Sequence, residues 1–207
     1  MKAYYINLDT RLDRKILVER EFTRLNYEFQ RIPAIFNLDD LTGCVESHIK
    51  VLETCDTDSN YIWVCEDDIQ ILANREYIDT CIQQFLSSDA DILCLGNNSL
   101  GILPYSHDLL RSTDIQTASS YIIKKKFRHI LLDTWKDALV SRKNNDNKKY
   151  EEKLRSLNIR ICEDYLALDQ VWKILQKDYI FVIPKKKVLK QRTGYSDIMG
   201  KYVDYGV

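Results

Sequence analysis

The sequence predicts a single α/β domain over residues 1–207, in which helices flank a mixed, mostly parallel central β-sheet. Short apolar segments with strand character alternate with segments whose apolar residues recur at helical spacing, a pattern typical of layered α/β folds. A chain of 207 residues suits one domain with a sizeable core. The net charge of -1 argues against nonspecific nucleic-acid binding, so we expect no nucleic-acid partner.

The first half of the chain shows the clearest alternation of strands and helices. The strand segments are rich in β-branched and aromatic residues, whereas the helical segments carry apolar residues three or four positions apart. The predicted elements are a strand at residues 3–6, a helix at 11–25, a strand at 27–32, a helix after Thr42, a strand at 61–65 with a continuation at 69–72, and a helix at 77–86.

The second half of the chain is less regular. Residues 96–114 are rich in turn formers and are predicted to be irregular. Residues 141–155 are dominated by charge and asparagine, which predicts a charged surface loop or a helix extension. The remaining predicted elements are strands at 91–95, 120–123 and 179–183, helices at 127–139 and 164–175, and an extended tail at 187–207.

The cysteines and the N-terminal residues indicate the compartment. Six cysteines without a C-x-x-C pair are expected to be buried free thiols in a reducing compartment, and paired zinc-ligand spacing is absent. The first residues run into a strand without a signal-peptide segment, and no apolar stretch reaches the roughly 20 residues that span a bilayer. We expect a cytoplasmic protein without a membrane span.

Three consecutive carboxylates, Glu66, Asp67 and Asp68, follow the predicted central strand. Strands of this composition normally end in turn residues, and no lysine or arginine lies within several positions to offset the charges. The carboxyl end of such a strand is where open α/β sheets bind ligands, and clustered carboxylates suit a hard divalent cation. The alternative is an acidic loop that faces solvent.

The sequence lacks the glycine-rich loops that commonly bind phosphates. Neither G-x-G-x-x-G nor G-x-x-x-x-G-K-[ST] occurs anywhere in the chain. A nucleotide could therefore be held through its diphosphate on a metal ion, or through other backbone donors. The acidic triplet is the candidate for the first of these arrangements.

Two further groups of polar residues lie near predicted strand ends and helix starts. Asn7, Asp9, Arg11 and Arg14 follow the first strand, where they could contact a base, ribose or phosphate; the alternative is a helix cap with exposed arginines. Gly43 is followed closely by Ser47 and His48, although a lone histidine is usually a structural hydrogen-bonding group.

A third polar group lies at the start of the helix predicted at residues 164–175. Asp164 can cap that helix, which would be a structural role. Asp169, beside Gln170, lies one turn further in among apolar residues, where burying a carboxylate without a partner is costly. Asp169 is therefore the better functional candidate of the two acids.

Four motifs occur in order along the chain. They are Tyr5-Ile6-Asn7-Leu8-Asp9-x-Arg11-x-Asp13-Arg14, Gly43-Cys44-x-x-Ser47-His48, Val64-Cys65-Glu66-Asp67-Asp68 and Ala118-Ser119-Ser120-Tyr121-Ile122-Ile123. Together they resemble glycosyltransferase family 25, which includes lipooligosaccharide galactosyltransferases and collagen-type hydroxylysine sugar transferases. The tail from Gln191 to Ile198 is similar to tails of small viral and bacterial sugar transferases.

The resemblance implies a GT-A domain that transfers a hexose from a nucleotide-sugar donor, UDP-galactose or UDP-glucose, to a hydroxyl of a glycan or glycoprotein acceptor. It implies Mn²⁺ or Mg²⁺ as cofactor, and a tail that closes over the donor. The rival interpretations are a noncatalytic nucleotide-sugar binding module and a metal-dependent nucleotide hydrolase. The implied metal ligands are Glu66 and Asp68, with Gln191, Ser196 and Asp197 as candidates from the tail. The implied donor contacts are Asn7, Asp9, Arg11, Arg14, Ser47, Asp67 and Gln170. The candidate catalytic bases, in order of preference, are Asp169, Asp164 and His48.

Overall fold

The computed structural model describes residues 1–55, 59–197 and 200–204, except for the side chain of Asp40. Within these residues, six strands form a central sheet and two pairs of short strands lie outside it. The strands are β1 (Lys2–Asn7), β2 (Glu28–Pro33), β3 (Tyr61–Glu66), β4 (Ile69–Ile71), β5 (Ile92–Pro104), β6 (Leu109–Lys124), β7 (Phe181–Pro184), β8 (Leu189–Gln191), β9 (Gly194–Ser196) and β10 (Lys201–Val203). The helices are α1 (Leu12–Arg24), α2 (Asp40–Thr54), α3 (Arg75–Ser87), α4 (Lys125–Lys143), α5 (Lys148–Ser156) and α6 (Leu168–Val171), the last continuing into a 3₁₀ helix at Trp172–Lys177.

The central sheet has the strand order β2-β1-β3-β6-β5-β7. Five strands point the same way, and β6 runs antiparallel to its neighbours β3, β5 and β7. The predicted α/β fold with a mixed, mostly parallel sheet is thus confirmed. Strand β1 lies between β2 and β3, so the connection that follows β1 leads to the strand on one side of it and the connection that follows β2 leads to the strand on the other side. Such a reversal opens a crevice at the carboxyl ends of the strands.

Helices cover both faces of this sheet. Alternate residues of β1 enter two separate cores, since Tyr4 packs in one cluster and Tyr5 in the other. The first cluster includes Ile49 of α2 and Trp135 of α4, and the second includes Phe22 of α1. Helices α1 and α2 therefore lie on opposite faces and fix the two walls of the crevice.

The prediction that residues 96–114 are irregular is wrong, because most of them belong to a long antiparallel hairpin. Strands β5 and β6 pair from Asn98 and Gln116 out to Pro104 and Leu110. The outer half of β5 is exposed, so it lacks the alternating buried face by which strands are recognised in a sequence. Gly101 within it has a φ of 62°, a conformation that suits glycine.

The helix predicted at residues 164–175 begins at Leu168, four residues after the predicted start. The α-helical part is only α6, and the rest is the 3₁₀ helix. Asp164 precedes the helix and its Oδ1 accepts a hydrogen bond from the Leu166 backbone N–H, so its predicted role as cap of this helix is wrong. Asp169 correspondingly lies in the first turn of α6 and not one turn further in.

The structure gives further detail for two other regions, the charged segment at 141–155 and the tail. The charged residues 141–155 contain the end of α4 and most of α5, whose Tyr150 and Leu154 are buried. Strand β4 does not extend β3 but pairs antiparallel with β8 of the tail, and β9 pairs with β10. Of the tail predicted at 187–207, residues 198–199 and 205–207, including Ile198 of the tail motif, lie outside the described residues.

The six cysteines, all in the described part of the chain, are free thiols. Four of them are buried, whereas Cys162 is exposed.

None of the helices within the described residues combines the length and apolar character needed to cross a bilayer.

Candidate functional site

A cleft opens at the carboxyl ends of β1 and β3, where the strand order reverses. Its walls are the segment after β1, the loop after β2, the start of α2, the turn after β3 and the tail. The cleft brings together most of the predicted site residues. These are Asn7, Arg14, Ser47, His48, Glu66, Asp67, Asp68, Gln191, Ser196 and Asp197.

The acidic triplet forms the floor of this cleft. Glu66 ends β3, and Asp67 and Asp68, each 7% exposed, form the turn before β4. Asp67 is compensated within the chain, because it accepts hydrogen bonds from Asn7 Nδ2 at 2.7 Å and from Arg14 Nη1 at 3.1 Å. Burial raises the pKa of Asp67, and the charge of Arg14 opposes that increase.

Asp68 is less well compensated than Asp67. Its Oδ2 lies 3.5 Å from Arg14 Nη1 and 3.4 Å from Gln191 Nε2. Its Oδ1 is buried and has no hydrogen-bond partner among the described residues. Burial and the charge of Glu66 raise the pKa of Asp68 to about 7. A cation beside Asp68 would remove this unfavourable energy.

Glu66 faces α2 and lies near two further potential metal ligands. A Glu66 carboxylate oxygen, a His48 ring nitrogen and Cys44 Sγ all lie within 4.8 Å of one another. Gln191 Nε2 is 3.3 Å from Glu66 Oε2, so this amide bridges Glu66 and Asp68. Oxygen ligands from two carboxylates and an amide suit Mn²⁺ or Mg²⁺, and the unpartnered Asp68 Oδ1 leaves a ligand atom free. The donor set therefore fits a divalent ion.

Two arginines from α1 and its N-cap hold the tail over the acidic floor. Arg14 Nη2 donates to the Tyr195 carbonyl at 2.6 Å while its Nη1 faces Asp67. Arg11 Nη1 pairs with Asp197 Oδ2 at 2.5 Å. The Arg192 backbone N–H donates to the Asp68 carbonyl at 2.6 Å. The tail is thus anchored from both sides of the cleft.

Asn7 connects the floor of the cleft to its rim. Its Nδ2 donates to Asp67 and its Oδ1 accepts from Arg31 Nε at 2.8 Å. Arg31 also pairs with the exposed Asp9 at 2.5 Å. The sequence analysis missed Arg31, although its position near the carboxyl end of β2, next to β1, is a signal that could have identified it.

Ser47 supports the loop that forms one wall of the cleft. Its Oγ donates to the Gly43 carbonyl at 2.6 Å and accepts from the Ile35 backbone N–H at 2.8 Å. A Cβ on Gly43 would lie 2.7 Å from the Ile35 carbonyl oxygen, so only glycine permits this close approach. In this structure Ser47 and Gly43 shape the cleft wall.

The other predicted residues, Asp9, Arg11, Asp164, Asp169 and Gln170, are not among the described residues that line the cleft. Asp164 is engaged by Arg142, whose Nη2 lies 2.6 and 2.5 Å from its two oxygens. Gln170 is buried, and its Oε1 accepts from the Cys162 backbone N–H at 3.1 Å. These contacts give both residues structural roles.

Asp169 is the first candidate for the catalytic base. It is partly exposed, and its Oδ2 accepts from the Thr117 backbone N–H at 3.0 Å. Thr117 has a φ of 77°, which is strained for a β-branched residue. Burial raises the pKa of Asp169, and the charge of Glu66 adds to the increase. The two carboxylates therefore influence each other electrostatically.

Comparisons with known proteins add the following findings. No protein-family model matches the sequence, and no curated protein matches it. Among solved structures, the chain resembles a glycosyltransferase involved in the glycosylation of the major capsid of PBCV-1, with 13% identity over 94% of this chain and 93% of that one and a TM-score of 0.48.

Two other solved structures extend the comparison. A Drosophila β-1,4-galactosyltransferase 7 mutant, in complex with manganese, UDP-Gal and xylobiose, is 10% identical over 63% of this chain and 51% of its own, with a TM-score of 0.36. A 4-diphosphocytidyl-2C-methyl-D-erythritol synthase from Anaerococcus prevotii is 10% identical over 95% of this chain and 74% of its own, with a TM-score of 0.44.

These neighbours are glycosyltransferases and a nucleotidyltransferase, and they do not single out glycosyltransferase family 25. At identities of 13% or less and TM-scores below 0.5, they carry no argument about what this chain binds. Membership in family 25 and the roles of the site residues stay predictions.

Proposed function

We propose that the protein is a metal-dependent glycosyltransferase that moves a hexose from a nucleotide-sugar donor, UDP-galactose or UDP-glucose, to a hydroxyl of a glycan or glycoprotein. The main support for the proposal is the environment of Asp68. Asp68 and Glu66 lie together at the point where the strand order reverses, and Asp68 Oδ1 is buried without a partner among the described residues. An ion bound to Asp68 Oδ1 would satisfy this atom, and leaving a buried polar atom unsatisfied costs about 1–3 kcal/mol.

Glu66, Asp68 and Gln191 are the residues that would hold Mn²⁺ or Mg²⁺. Their oxygen atoms suit these ions, although the Gln191 amide must turn its oxygen inward. Asp197 is a further candidate, which must first leave Arg11. A divalent ion held here supplies positive charge opposite the departing nucleoside diphosphate.

The arginines at the start of α1 are the proposed contacts to the donor diphosphate. Arg14 is shared between Asp67 and Asp68, so a cation at Asp68 would release part of its charge for a phosphate. Arg11 pairs with Asp197 and lies on the same side of the tail. Asn7 and Asp9, linked through Arg31, are the proposed contacts further out on the rim.

Asp169 is the proposed catalytic base if the reaction inverts the anomeric centre. It would accept the proton of the acceptor hydroxyl as the oxygen attacks the sugar carbon, and burial raises its pKa, which makes its carboxylate a stronger base than an exposed one. If the reaction retains configuration, Asp169 instead stabilises the face of the sugar. Asp164 is the poorer candidate because both of its oxygens are engaged by Arg142.

The tail anchored over the acidic floor would exclude water from the donor. Tyr195 is held by Arg14, and Arg192 is held at the Asp68 carbonyl, so the tail covers the acids directly. Exclusion of water favours transfer to the acceptor over hydrolysis of the donor.

Product analysis tests the proposal. The protein is incubated with UDP-galactose or UDP-glucose, Mn²⁺ and a panel of glycan acceptors, and the products are identified by mass spectrometry. A glycosylated acceptor supports the proposal. Release of free sugar without any transfer indicates a nucleotide-sugar hydrolase, and donor binding without turnover indicates a noncatalytic binding module. Either of these results would overturn the assignment as a transferase.

A further inference from the structure

His48 is buried in α2 with one ring nitrogen fixed and the other free. Its side chain is 1% exposed, and Nδ1 lies 3.1 Å from the Tyr121 hydroxyl. The imidazole stacks on Tyr121 with ring centroids 5.8 Å apart and meets Trp135 edge-on at 5.9 Å. Nε2 has no hydrogen-bond partner within the described residues, although it lines the cleft. The ring is held rigidly, with its free nitrogen at the acidic floor.

The position of this nitrogen suits metal binding. His48 Nε2 lies 3.4 Å from Glu66 Oε1, and Cys44 Sγ lies within 4.8 Å of both groups. Two ligands that bind one ion through bonds of about 2.0–2.2 Å are roughly 2.8–3.1 Å apart at octahedral angles and roughly 3.3–3.6 Å apart at tetrahedral angles. The pair His48 and Glu66 therefore already has the spacing of ligands that share an ion.

We propose that His48 Nε2 is a direct ligand of the metal ion held by Glu66, which makes the centre a mixed nitrogen–oxygen site. This inference rests on the proposed metal-dependent function. Imidazole binds first-row transition-metal ions, with affinity increasing from Mn²⁺ to Co²⁺, more readily than it binds Mg²⁺, which prefers oxygen ligands and keeps its waters. The site should therefore bind Mn²⁺, Co²⁺ and Zn²⁺ in preference to Mg²⁺. His48 then acts as a metal ligand and not as a catalytic base.

Tyr121 is the positioning residue for this ligand. When Nε2 binds the metal, Nδ1 carries the proton and donates to the Tyr121 hydroxyl oxygen. Tyr121 is fully buried and lies in β6 opposite Val64, so the sheet holds it in place. Partners of this kind orient a metal-binding imidazole, and their loss typically weakens metal affinity about 10–100-fold.

Pulsed electron paramagnetic resonance with Mn²⁺ alone, without nucleotide, tests the inference. We expect a ¹⁴N coupling from a directly bound imidazole in the wild-type protein, replaced by a ¹⁵N coupling when the histidines are labelled with ¹⁵N. The label changes no side chain, so this comparison holds even if a variant fails to fold. Mn²⁺ binding without any histidine coupling would overturn the inference.

Two variants complete the test by calorimetry. His48→Gln should weaken Mn²⁺ binding at least tenfold and change Mg²⁺ binding less than threefold. The control His107→Gln, which removes an imidazole that is 91% exposed, should change neither. Equal losses for both ions in His48→Gln would contradict the nitrogen ligand.

The outcomes separate this inference from the proposed function. A histidine coupling together with no sugar transfer leaves the metal ligand in place and refutes the transferase. Transfer activity with Mn²⁺ bound and no histidine coupling leaves the transferase in place and refutes His48 as a ligand. Failure of the wild-type protein to bind Mn²⁺ refutes the ligand assignment as well.

Discussion

Two buried polar clusters in this molecule differ in whether the chain supplies their countercharges. Beside the β5–β6 hairpin, Lys173 Nζ lies 2.8 Å from Asp114 Oδ1 and also donates to Gln116 Oε1 at 3.3 Å. Both ionic groups are buried, one carboxylate against one ammonium. At the end of β3, Asp67 and Asp68 share the guanidinium of Arg14, and Glu66 lies 3.4 Å from His48 Nε2.

The difference distinguishes buried charges that are neutralised within the fold from buried charges that a ligand could neutralise. The pair Lys173 and Asp114 is complete in charge, because one ammonium faces one carboxylate, so removing one partner leaves an uncompensated charge. Glu66 and Asp68 form an incomplete cluster, and in the proposed function a bound divalent ion supplies the positive charge that the described residues do not. Such a site lowers the stability of the metal-free protein, a common exchange of stability for function.

The largest expected effect comes from removing a carboxylate of the incomplete cluster. Asp68→Asn should lower transferase activity by roughly a thousandfold, since a proposed metal ligand is lost. Activity is measured as release of UDP with saturating Mn²⁺, and circular dichroism checks the fold. Because an unfavourable buried charge is removed, the metal-free variant should be at least as stable as the wild type. Activity within tenfold of the wild type would contradict the role of Asp68.

The substitution Asp169→Asn tests the proposed catalytic base and leaves the three residues of the acidic triplet unchanged. We expect turnover to fall by about 10²–10⁴-fold, the range typical of general bases. The affinity for UDP in the presence of Mn²⁺ should change less than threefold, because Asp169 contacts Thr117 and not the metal ligands. A parallel loss of donor affinity would indicate that Asp169 supports the structure instead.

Breaking the complete cluster should affect stability rather than ligand binding. Lys173→Met leaves Asp114 buried without its ammonium partner and should destabilise the protein by about 3–5 kcal/mol, measured by urea unfolding. The control Lys177→Met, at an exposed position of the same 3₁₀ helix, should change stability by less than about 0.5 kcal/mol. A similar small change in both variants would contradict the distinction between the clusters.

The pH dependence of stability should also distinguish the incomplete cluster. Since the folded pKa of Asp68 is raised to about 7, the native state keeps a proton that the unfolded chain has lost above about pH 4. Stability from this group therefore falls as pH rises from about 4 to 7, by no more than about 1.4 kcal/mol per pH unit. Urea titrations of the metal-free protein should show this slope, and Asp68→Asn should be flatter. Identical slopes would argue against a raised pKa.

The fold was largely predictable because local patterns determine it. Residues 61–65 are apolar and β-branched or aromatic, and the structure places them in β3 at the centre of the sheet. The β5–β6 hairpin could not be predicted in this way, since its outer strand is exposed and stabilised by pairing across the hairpin. Asp164 was misplaced because its partner is Arg142, 22 residues away along the chain.

In the candidate site, too, features set by neighbouring residues could be predicted from the sequence, whereas contacts between distant residues could not. The acidic triplet stands out in the sequence, and its place at a strand end predicted its position in a cleft. Its partial neutralisation by Arg14, 53 residues earlier, depends on the packing of α1 against the sheet. The approach of Cys44 and His48 to Glu66 likewise depends on how α2 crosses the opposite face, which sequence spacing does not give.

The central claim is that the incomplete cluster binds a divalent ion which in turn holds a nucleoside diphosphate. Calorimetric titration of UDP into the wild-type protein, with and without Mn²⁺, tests this most directly. We expect Mn²⁺ to tighten UDP binding at least tenfold and Asp68→Asn to abolish that gain. Equal affinity with and without the ion, in a protein that binds UDP, would contradict the claim.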